Sequence, residues 1–257
     1  MDTINMIGDV TISPIIAPRM STVRLTVTIL HYMLSAERLS SIPLVIIGAG
    51  GSGREVHDVV EAVNEAAGSP TPPYDFLGFL DDGRVDMQLL LNRGPLLGPV
   101  ATMERLGSDV HYLIGIGNGT TRRKIDEWMI GLGHLSPVLV HPSSVIGNHL
   151  VLLAPGTVVC PHCSVTTNVS IGRHTHLNRM STVGHDSVLG NYVTLNPGAT
   201  VSGNVTLEDE VNLGTNASVI QGCTVGIGSI IGAGAAVIRD IPAGVTAVGV
   251  PAKYKTQ

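Results

Sequence analysis

Charged and aromatic residues are both scarce in this sequence of 257 residues. Charged residues make up 14% of the chain and aromatic residues 3%, whereas soluble domains usually carry about 25% charged residues. So little charge suggests that partner subunits cover much of the surface. The formal net charge of −5 and the isoelectric point near 6.0 argue against a general nucleic-acid binder. They fit an enzyme of small-molecule metabolism.

Cysteines are few, and long apolar runs are missing. An odd number of cysteines, three, argues against a disulfide scaffold and for a reducing compartment, so we expect a cytoplasmic protein. No apolar run reaches the roughly 18 residues that a membrane-spanning helix needs. We expect residues 1–41 to form a poorly ordered extension.

Glycine and small aliphatic residues are abundant, and they repeat with a period of six. Every sixth residue from Val165 to Val237 is Val, Ile or Leu, and a small or β-branched residue stands four positions after each. Three such hexads predict one triangular coil of eighteen residues, with both residue types pointing inward. Because one coil cannot bury its own interior, many must stack. The repeat extends back to Val140, with a slip of one residue near Asn148–Leu152.

Glycine often follows the aliphatic residue of the hexad directly. We expect these glycines to adopt positive φ angles in the turns. The positions are 172, 184, 190, 214, 226 and 232.

The part before the repeat predicts a small parallel α/β domain over residues 42–138, followed by a parallel β-helix over residues 139–257. Short apolar runs bounded by glycine or acidic residues indicate strands, and apolar residues at helical spacing indicate helices. The predicted strands are Pro43–Ala49, Asp75–Leu80, His111–Gly117 and Ser136–Val140. The predicted helices are Arg54–Ala67, Pro99–Leu106 and Thr120–Leu132.

A glycine-rich loop joins the first strand to the first helix. Gly48, Gly50 and Gly53 have the G-x-G-x-x-G spacing, which lets a phosphate approach the backbone at a helix N-terminus. By itself the spacing allows a nucleotide-linked sugar, NAD or only a tight turn. The acidic pair Asp81–Asp82 comes late for a ribose-binding acid. The domain is also too short for a full dinucleotide fold, which disfavours NAD.

Together the motifs resemble the hexapeptide-repeat acyltransferases, and among them the sugar acetyltransferases of bacterial glycan pathways. These include sialic acid O-acetyltransferases and N-acetyltransferases of nucleotide-linked 4-amino-deoxy sugars. The resemblance implies a left-handed β-helix, a homotrimer with active sites between subunits, and acetyl-CoA as donor. It rests on GAGGSGREV at 48–56, FLDD at 79–82, IGIGN at 114–118, VHPS at 140–143, VGHDSVLGNYV at 183–193, NPGATVSGNV at 196–205 and GVPAK at 249–253.

The resemblance also implies which residues hold the nucleotide of the sugar substrate. They are Gly51, Ser52, Gly53, Asp81, Asp82 and Asn118. Many members of the family have His where this chain has Ser52, so this chain departs from the family at the residue that meets the diphosphate.

His185 is the candidate general base. It occupies the third position of its hexad, which projects outward, and a histidine with a pKa near neutrality suits proton removal from an attacking nucleophile. Asp186 is placed to orient the imidazole as the acid of a triad does. The family has its catalytic His and acid at this same motif.

Acetyl-CoA needs backbone donors along the β-helix. Gly203 follows His185 by one coil and is placed to donate its N–H to the oxyanion of the tetrahedral intermediate. By resemblance, Gly214, Thr215, Gly232 and Ala233 form the rail along which the pantetheine arm lies, and Lys253 meets a CoA phosphate. The alternative interpretation of Gly214, Thr215, Gly232 and Ala233 is that they only form the turns, and that of Lys253 is a solvated lysine without a ligand.

No metal is expected. Cys160 and Cys163, with His174 and His176 nearby, suggest a zinc site, yet Cys163 falls on an inward small position of its hexad and is explained as filling. The scattered histidines, His162 included, do not clearly supply the three ligands of a carbonic-anhydrase-type site. His141 is interpreted as a hydrogen-bonded structural residue.

The sequence therefore predicts an acetyl-CoA-dependent acetyltransferase acting on an amino group of a sugar that is nucleotide-linked. The alternatives are a sugar O-acetyltransferase, an enzyme for a longer acyl-CoA, and a non-catalytic trimeric scaffold or sugar-sensing module. Loss of the His–Asp pair would have favoured the last of these, so its presence counts against it.

Overall fold

The computed structural model describes residues 40–254 of the chain. The extension predicted over residues 1–41 lies outside the described residues, apart from Ser40 and Ser41. Within residues 40–254 no helix is long and apolar enough to cross a membrane.

The first part of the described chain is a four-stranded parallel sheet between two helices. Its elements are β1 (Ile42–Ile47), α1 (Gly51–Ala66), β2 (Tyr74–Leu80), a 3₁₀ turn (Met87–Leu90), β3 (Leu96–Gly98), a second 3₁₀ turn (Val100–Arg105), β4 (His111–Ile114) and α2 (Gly119–Leu132). The strand order is β3-β2-β1-β4. Alternate residues of β1 point to opposite faces: Leu44 and Ile46 share a core with α1, whereas Val45 and Ile47 share one with Met129 of α2.

Two sequence predictions for this sheet were wrong. Its fourth strand is not Ser136–Val140 but Leu96–Gly98, which pairs with β2 and is too short to show a periodic pattern. The predicted strand shrinks to Leu139–Val140 and pairs with Val158–Val159 as the first rung of the β-helix. Helix α1 also begins at Gly51 rather than Arg54, so the glycine-rich segment forms its first turn.

The rest of the described chain winds into a triangular parallel β-helix with three flat faces. The first face consists of β5 (Leu139–Val140), β8 (Val158–Val159), β11 (His176–Leu177), β14 (Thr194–Leu195), β17 (Asn212–Leu213), β20 (Ile230–Ile231), β22 (Thr246–Val248) and β23 (Lys253–Tyr254). The second face consists of β6 (Val145–Ile146), β9 (Ser164–Val165), β12 (Thr182–Val183), β15 (Thr200–Val201), β18 (Ser218–Val219) and β21 (Ala236–Val237). The third face consists of β7 (Val151–Leu153), β10 (Val169–Ile171), β13 (Val188–Leu189), β16 (Thr206–Leu207) and β19 (Thr224–Val225).

The hexad pattern predicted the interior of the prism correctly. All thirteen aliphatic residues from Val165 to Val237 are at most 2% exposed, and the small residues that follow them are also buried. Ile171 pairs with Leu153, eighteen residues earlier, whereas Val165 pairs with Ile146, nineteen residues earlier. The extra residue of the predicted slip therefore lies between β6 and β7.

The expectation of positive φ at the repeat glycines was wrong. Positive φ occurs two positions further on, at residues such as Asp186 (φ 60°) and Tyr192 (φ 59°). The glycines are needed because the coils approach closely at the corners. A Cβ on Gly172 would lie 2.5 Å from the carbonyl carbon of Gly190, and one on Gly184 would lie 2.6 Å from the nitrogen of Gly203.

Candidate functional site

His185 and Asp186 form a hydrogen-bonded pair on the turn between β12 and β13, at the corner between the second and third faces. Nδ1 of His185 lies 2.7 Å from Oδ2 of Asp186, and both side chains are about half exposed. The amide of Asn168, one coil earlier, donates to Oδ1 of Asp186 at 2.5 Å. The hydrogen bond from Asn168, and to a smaller extent the one from His185, holds the pKa of Asp186 below its usual range. An ionised Asp186 keeps the imidazole proton on Nδ1, which leaves Nε2 unprotonated as a base.

The imidazole of His185 rests on Gly203 in the next coil. A Cβ at residue 203 would lie 2.5 Å from both Cε1 and Nε2 of the ring. The N–H of Gly203 donates no hydrogen bond within residues 40–254. The basic nitrogen and a free backbone donor are therefore neighbours, as acyl transfer requires.

The other residues predicted to bind acetyl-CoA lie on a different corner of the prism. Gly214 and Thr215 follow β17, and Gly232 and Ala233 follow β20, so all four stand between the first and second faces. Lys253 is exposed on β23, which pairs antiparallel with β22. One chain does not bring this corner and His185 together.

A cavity of about 280 Å³ separates the N-terminus of α1 from the first face of the β-helix. Helix α1 has neither a capping side chain nor an acidic residue in its first turn, so its N-terminal N–H groups remain available to an anion. The cavity is lined by Gly51, Ser52, Glu55, Gly117, His176, Asn178, Thr194, Asn196 and Pro197.

Of the six residues predicted to hold the nucleotide, only Gly51 and Ser52 line this cavity. Gly53 is buried, and a Cβ there would lie 1.8 Å from the carbonyl oxygen of Gly48, so it serves the close packing of α1. The carboxylate oxygens of Asp81 accept hydrogen bonds from the backbone N–H groups of Ala49 and Gly83, each at 2.7 Å.

The last two predicted nucleotide residues, Asp82 and Asn118, also bind backbone. Oδ1 of Asp82 accepts from the N–H of Val100 at 2.8 Å. Asn118 caps α2 by accepting from the N–H of Thr121 at 2.8 Å. Neither side chain lines the cavity in this structure.

The sequence analysis missed Arg122, which is fully buried between the α/β part and the β-helix. Its guanidinium donates to five backbone carbonyls and one hydroxyl at 2.7–3.0 Å. The acceptors are the carbonyls of Ile116, Gly117, His174, Tyr192 and Val193, and Oγ1 of Thr194. Burial lowers the pKa of Arg122 to about 10, so it stays protonated at neutral pH. This residue fixes the Gly117 loop, one wall of the cavity, against the β-helix.

Asp126, one helical turn after Arg122, is a second missed residue at this junction. Its carboxylate accepts from Arg173 at 2.7 and 3.0 Å and from the hydroxyls of Tyr112 at 2.5 Å and Tyr192 at 2.7 Å, and Nε2 of His174 lies 2.9 Å away. Burial alone would raise the pKa of Asp126, but the partners outweigh burial and hold the pKa far below its usual range. The i, i+4 spacing of Arg122 and Asp126 on α2 was the available signal.

Cys163 lies inside the prism, as its hexad position predicted, and His141 is hydrogen-bonded, as expected of a structural residue. Cys163 is 1% exposed, and its sulfur lies 3.1 Å from the carbonyl oxygen of Asn178 inside the prism. Burial raises the pKa of the Cys160 thiol to about 12, which disfavours the thiolate that zinc requires. Nδ1 of His141 accepts from the N–H of Ser143 at 3.0 Å.

Comparisons with known proteins agree with this two-part architecture. Residues 43–129 match the family model described as the PglD N-terminal domain. The chain is 32% identical over 147 residues to GDP-perosamine N-acetyltransferase of Escherichia coli O157:H7. That match covers 56% of this chain and 63% of that protein.

Two solved structures share the fold over nearly their full length. The acetyltransferase domain of PglB from Neisseria gonorrhoeae FA1090, solved with acetyl coenzyme A, is 33% identical with a TM-score of 0.74, covering 84% of this chain and 100% of that one. PerB from Caulobacter crescentus, solved with CoA and GDP-perosamine, is 28% identical with a TM-score of 0.74, covering 85% and 99%.

The predicted fold class, a small Rossmann-like α/β domain followed by a left-handed parallel β-helix, is thereby confirmed. The resemblance inferred from the sequence motifs is confirmed as well. The chain belongs to the hexapeptide-repeat nucleotide-sugar N-acetyltransferase family.

Proposed function

We propose that this protein transfers the acetyl group of acetyl-CoA to an amino group of a nucleotide-linked sugar. One observation carries the proposal: the His185–Asp186 pair, whose imidazole lies on Gly203 at an exposed corner of the β-helix. The relatives solved with acetyl coenzyme A, or with CoA and GDP-perosamine, support the two substrate classes.

The geometry supports a direct transfer. The amine nitrogen attacks the carbonyl carbon of the thioester while Nε2 of His185 removes a proton from it. The N–H of Gly203 stabilises the oxyanion that forms. The carbon–sulfur bond then breaks, and the CoA thiolate leaves and takes up a proton. Asp186 holds the imidazole in the required tautomer and stabilises its charged form.

The two corners support assembly as a homotrimer. His185 and Gly203 lie between the second and third faces, whereas Gly214, Thr215, Gly232 and Ala233 lie between the first and second. A CoA molecule bound along the second set meets a His185 only when that histidine belongs to a neighbouring subunit. Each active site then lies between two subunits, and Lys253 lies near the end of the CoA groove. We also propose that the enzyme is cytoplasmic, where acetyl-CoA and nucleotide-linked sugars are available.

The test is acetyl-CoA turnover, measured by thiol release, against a panel of nucleotide-linked amino sugars and free sugars. We expect release with a nucleotide-linked amino sugar and its loss in His185→Ala. The matched control is His149→Ala, an exposed histidine at the same corner of the prism, which should turn over like the wild type. Release only with hydroxyl acceptors would move the assignment to O-acetylation. No release from any acceptor, or equal release from His185→Ala, would refute the catalytic assignment.

A further inference from the structure

An ion pair joins the two parts of the molecule beside the cavity. Nη1 of Arg179, on the turn after β11, bonds to Oε1 of Glu55 on α1. Glu55 lines the cavity, and so does Asn178, the residue before Arg179. The two charged side chains are 46% and 43% exposed. Exposed ion pairs of this kind contribute little to folding stability, so stability gives no reason for the pair.

The cavity is shaped for a polar ligand. His176 in its wall is 4% exposed, and its Nε2 has no hydrogen-bond partner among residues 40–254. A buried polar atom without a partner is costly, so a ligand group is expected to satisfy it. The free N–H groups at the start of α1 open on the same cavity and favour an anion.

Among the described residues that line the cavity, none carries a positive charge to meet a diphosphate. The lining side chains are uncharged at neutral pH except Glu55, which is negative. Burial, and then the charge of Arg122, lower the pKa of His176 well below its usual value, so this histidine stays neutral. Ser52 is also neutral.

Arg179 is a cation held against the wall through Glu55. Arg54, in the first turn of α1, is a second cation nearby: Nη2 of Arg54 would lie 3.9 Å from a Cβ on Gly51, while its Nη1 donates to the carbonyl oxygen of Ala49 at 3.3 Å.

Arg179 is within reach of the N-terminus of α1. Glu55 follows Ser52 by three residues, which is a rise of about 4.5 Å along the helix axis. The guanidinium bonded to Glu55 therefore lies within about one turn of the free N–H groups. Its planar fork of donors matches two phosphate oxygens as well as it matches a carboxylate.

We propose that Arg179 is a diphosphate-binding residue of the nucleotide site, and that Glu55 competes with the ligand for it. When a nucleoside diphosphate enters, the guanidinium exchanges the carboxylate of Glu55 for phosphate oxygens beside the start of α1. The inference rests on the proposed nucleotide-linked substrate. Arg179 would supply that substrate with a positive charge that Ser52 and His176 do not carry.

The test is calorimetric titration of GDP, UDP and dTDP into the wild type, Arg179→Ala and Glu55→Gln. Competition predicts effects of opposite sign. Arg179→Ala should weaken binding of the preferred diphosphate about tenfold, because a charge-assisted contact is lost. Glu55→Gln should tighten binding about two- to fivefold, because an exposed ion pair no longer opposes it. Asp58 lies on the same helix as Glu55 and pairs with Arg93, which follows the first 3₁₀ turn. Asp58→Asn breaks that pair, is the matched control and should bind like the wild type.

The outcomes separate this inference from the proposed function. If the wild type binds none of the three diphosphates, the nucleotide-linked substrate and the role of Arg179 both fail. If the wild type binds but Arg179→Ala binds equally well, or Glu55→Gln binds no tighter, the role of Arg179 fails and the proposed function stands.

Discussion

Replacing Gly203 by alanine tests whether the His185 imidazole works where the structure places it. The added Cβ would lie 2.5 Å from Cε1 and Nε2 of the ring and 3.0 Å from Cδ2. The backbone of Gly203 does not have a left-handed φ, so alanine fits its conformation. The imidazole is the end of a half-exposed side chain, and it can move away from the new methyl group without disturbing the core.

The expected result is a loss of activity with no loss of stability. Relieving a contact of 2.5 Å requires the ring to move by about 1 Å, and a displacement of that size in a catalytic group costs about 100-fold in rate. We expect kcat in the thiol-release assay to fall by about that factor. The thermal unfolding midpoint should stay within about 2 °C of the wild type, because no buried contact is lost.

Gly131→Ala is the matched control. Gly131 lies inside α2, and a Cβ there meets nothing within 4 Å, so alanine should leave kcat unchanged and stabilise the helix by up to about 1 kcal/mol. A Gly203→Ala protein with wild-type kcat would refute the placement of the ring during catalysis. A large drop in its unfolding midpoint would show that the backbone, not the imidazole, yields to the methyl group.

Three further predictions follow from the hydrogen bonds and from burial. Asp186→Asn removes the ionised partner of Nδ1 of His185 and should lower kcat between about 10- and 1,000-fold in steady-state assays. Arg122→Met leaves buried carbonyls without donors and should reduce the free energy of unfolding, measured in urea, by about 3 kcal/mol or more. Burial lowers the pKa of both His174 and His176 in the folded chain. As the pH falls, these two histidines are therefore protonated in the unfolded chain before they are protonated in the folded one. Stability should therefore fall as the pH drops below about 6.5, measured as the unfolding midpoint between pH 7.5 and 5.

Each of these predictions has a control. For Asp186→Asn, an unchanged far-UV spectrum and unfolding midpoint show that the fold is intact, and wild-type kcat would contradict the role of the carboxylate. Lys124→Met removes an exposed cation two positions after Arg122 on the same helix and should cost less than about 1 kcal/mol; an equal loss would contradict the argument from burial. The pH prediction is tested with His176→Gln, in which the unfolding midpoint should fall less as the pH drops below about 6.5. His149→Gln on the surface is the control and should keep the pH dependence of the wild type. A midpoint that does not change with pH contradicts it.

The β-helix could be predicted from the sequence because the burial of each residue depends on its position within its own hexad. Each residue of a hexad either faces the axis or does not, so the period of six appears directly as aliphatic residues from Val165 to Val237. The same spacing marked His185 as outward-facing. The role of the repeat glycines was misjudged because the contact that selects them, between Gly184 and Gly203 for example, joins residues about eighteen positions apart.

The cavity and its walls depended on tertiary contacts between distant segments. Asp81 was predicted to hold the nucleotide, but its hydrogen bonds to the N–H groups of Ala49 and Gly83 appear only in the folded chain. No motif in the sequence marks Arg179, which bonds to Glu55, 124 positions away. Polar side chains of this kind have no periodic pattern, since each is fixed by one partner that only the packed structure identifies.

The sequence by itself thus determined the stacked coils, the small α/β domain before them and the exposed His–Asp pair, because each rests on spacing or on neighbouring residues. Only the tertiary structure decided which glycines line the cavity and how Arg122 and Asp126 join the two parts. The junction depends on the burial and pairing of the charges of Arg122 and Asp126, and a charge is buried only where the folded chain supplies its partners.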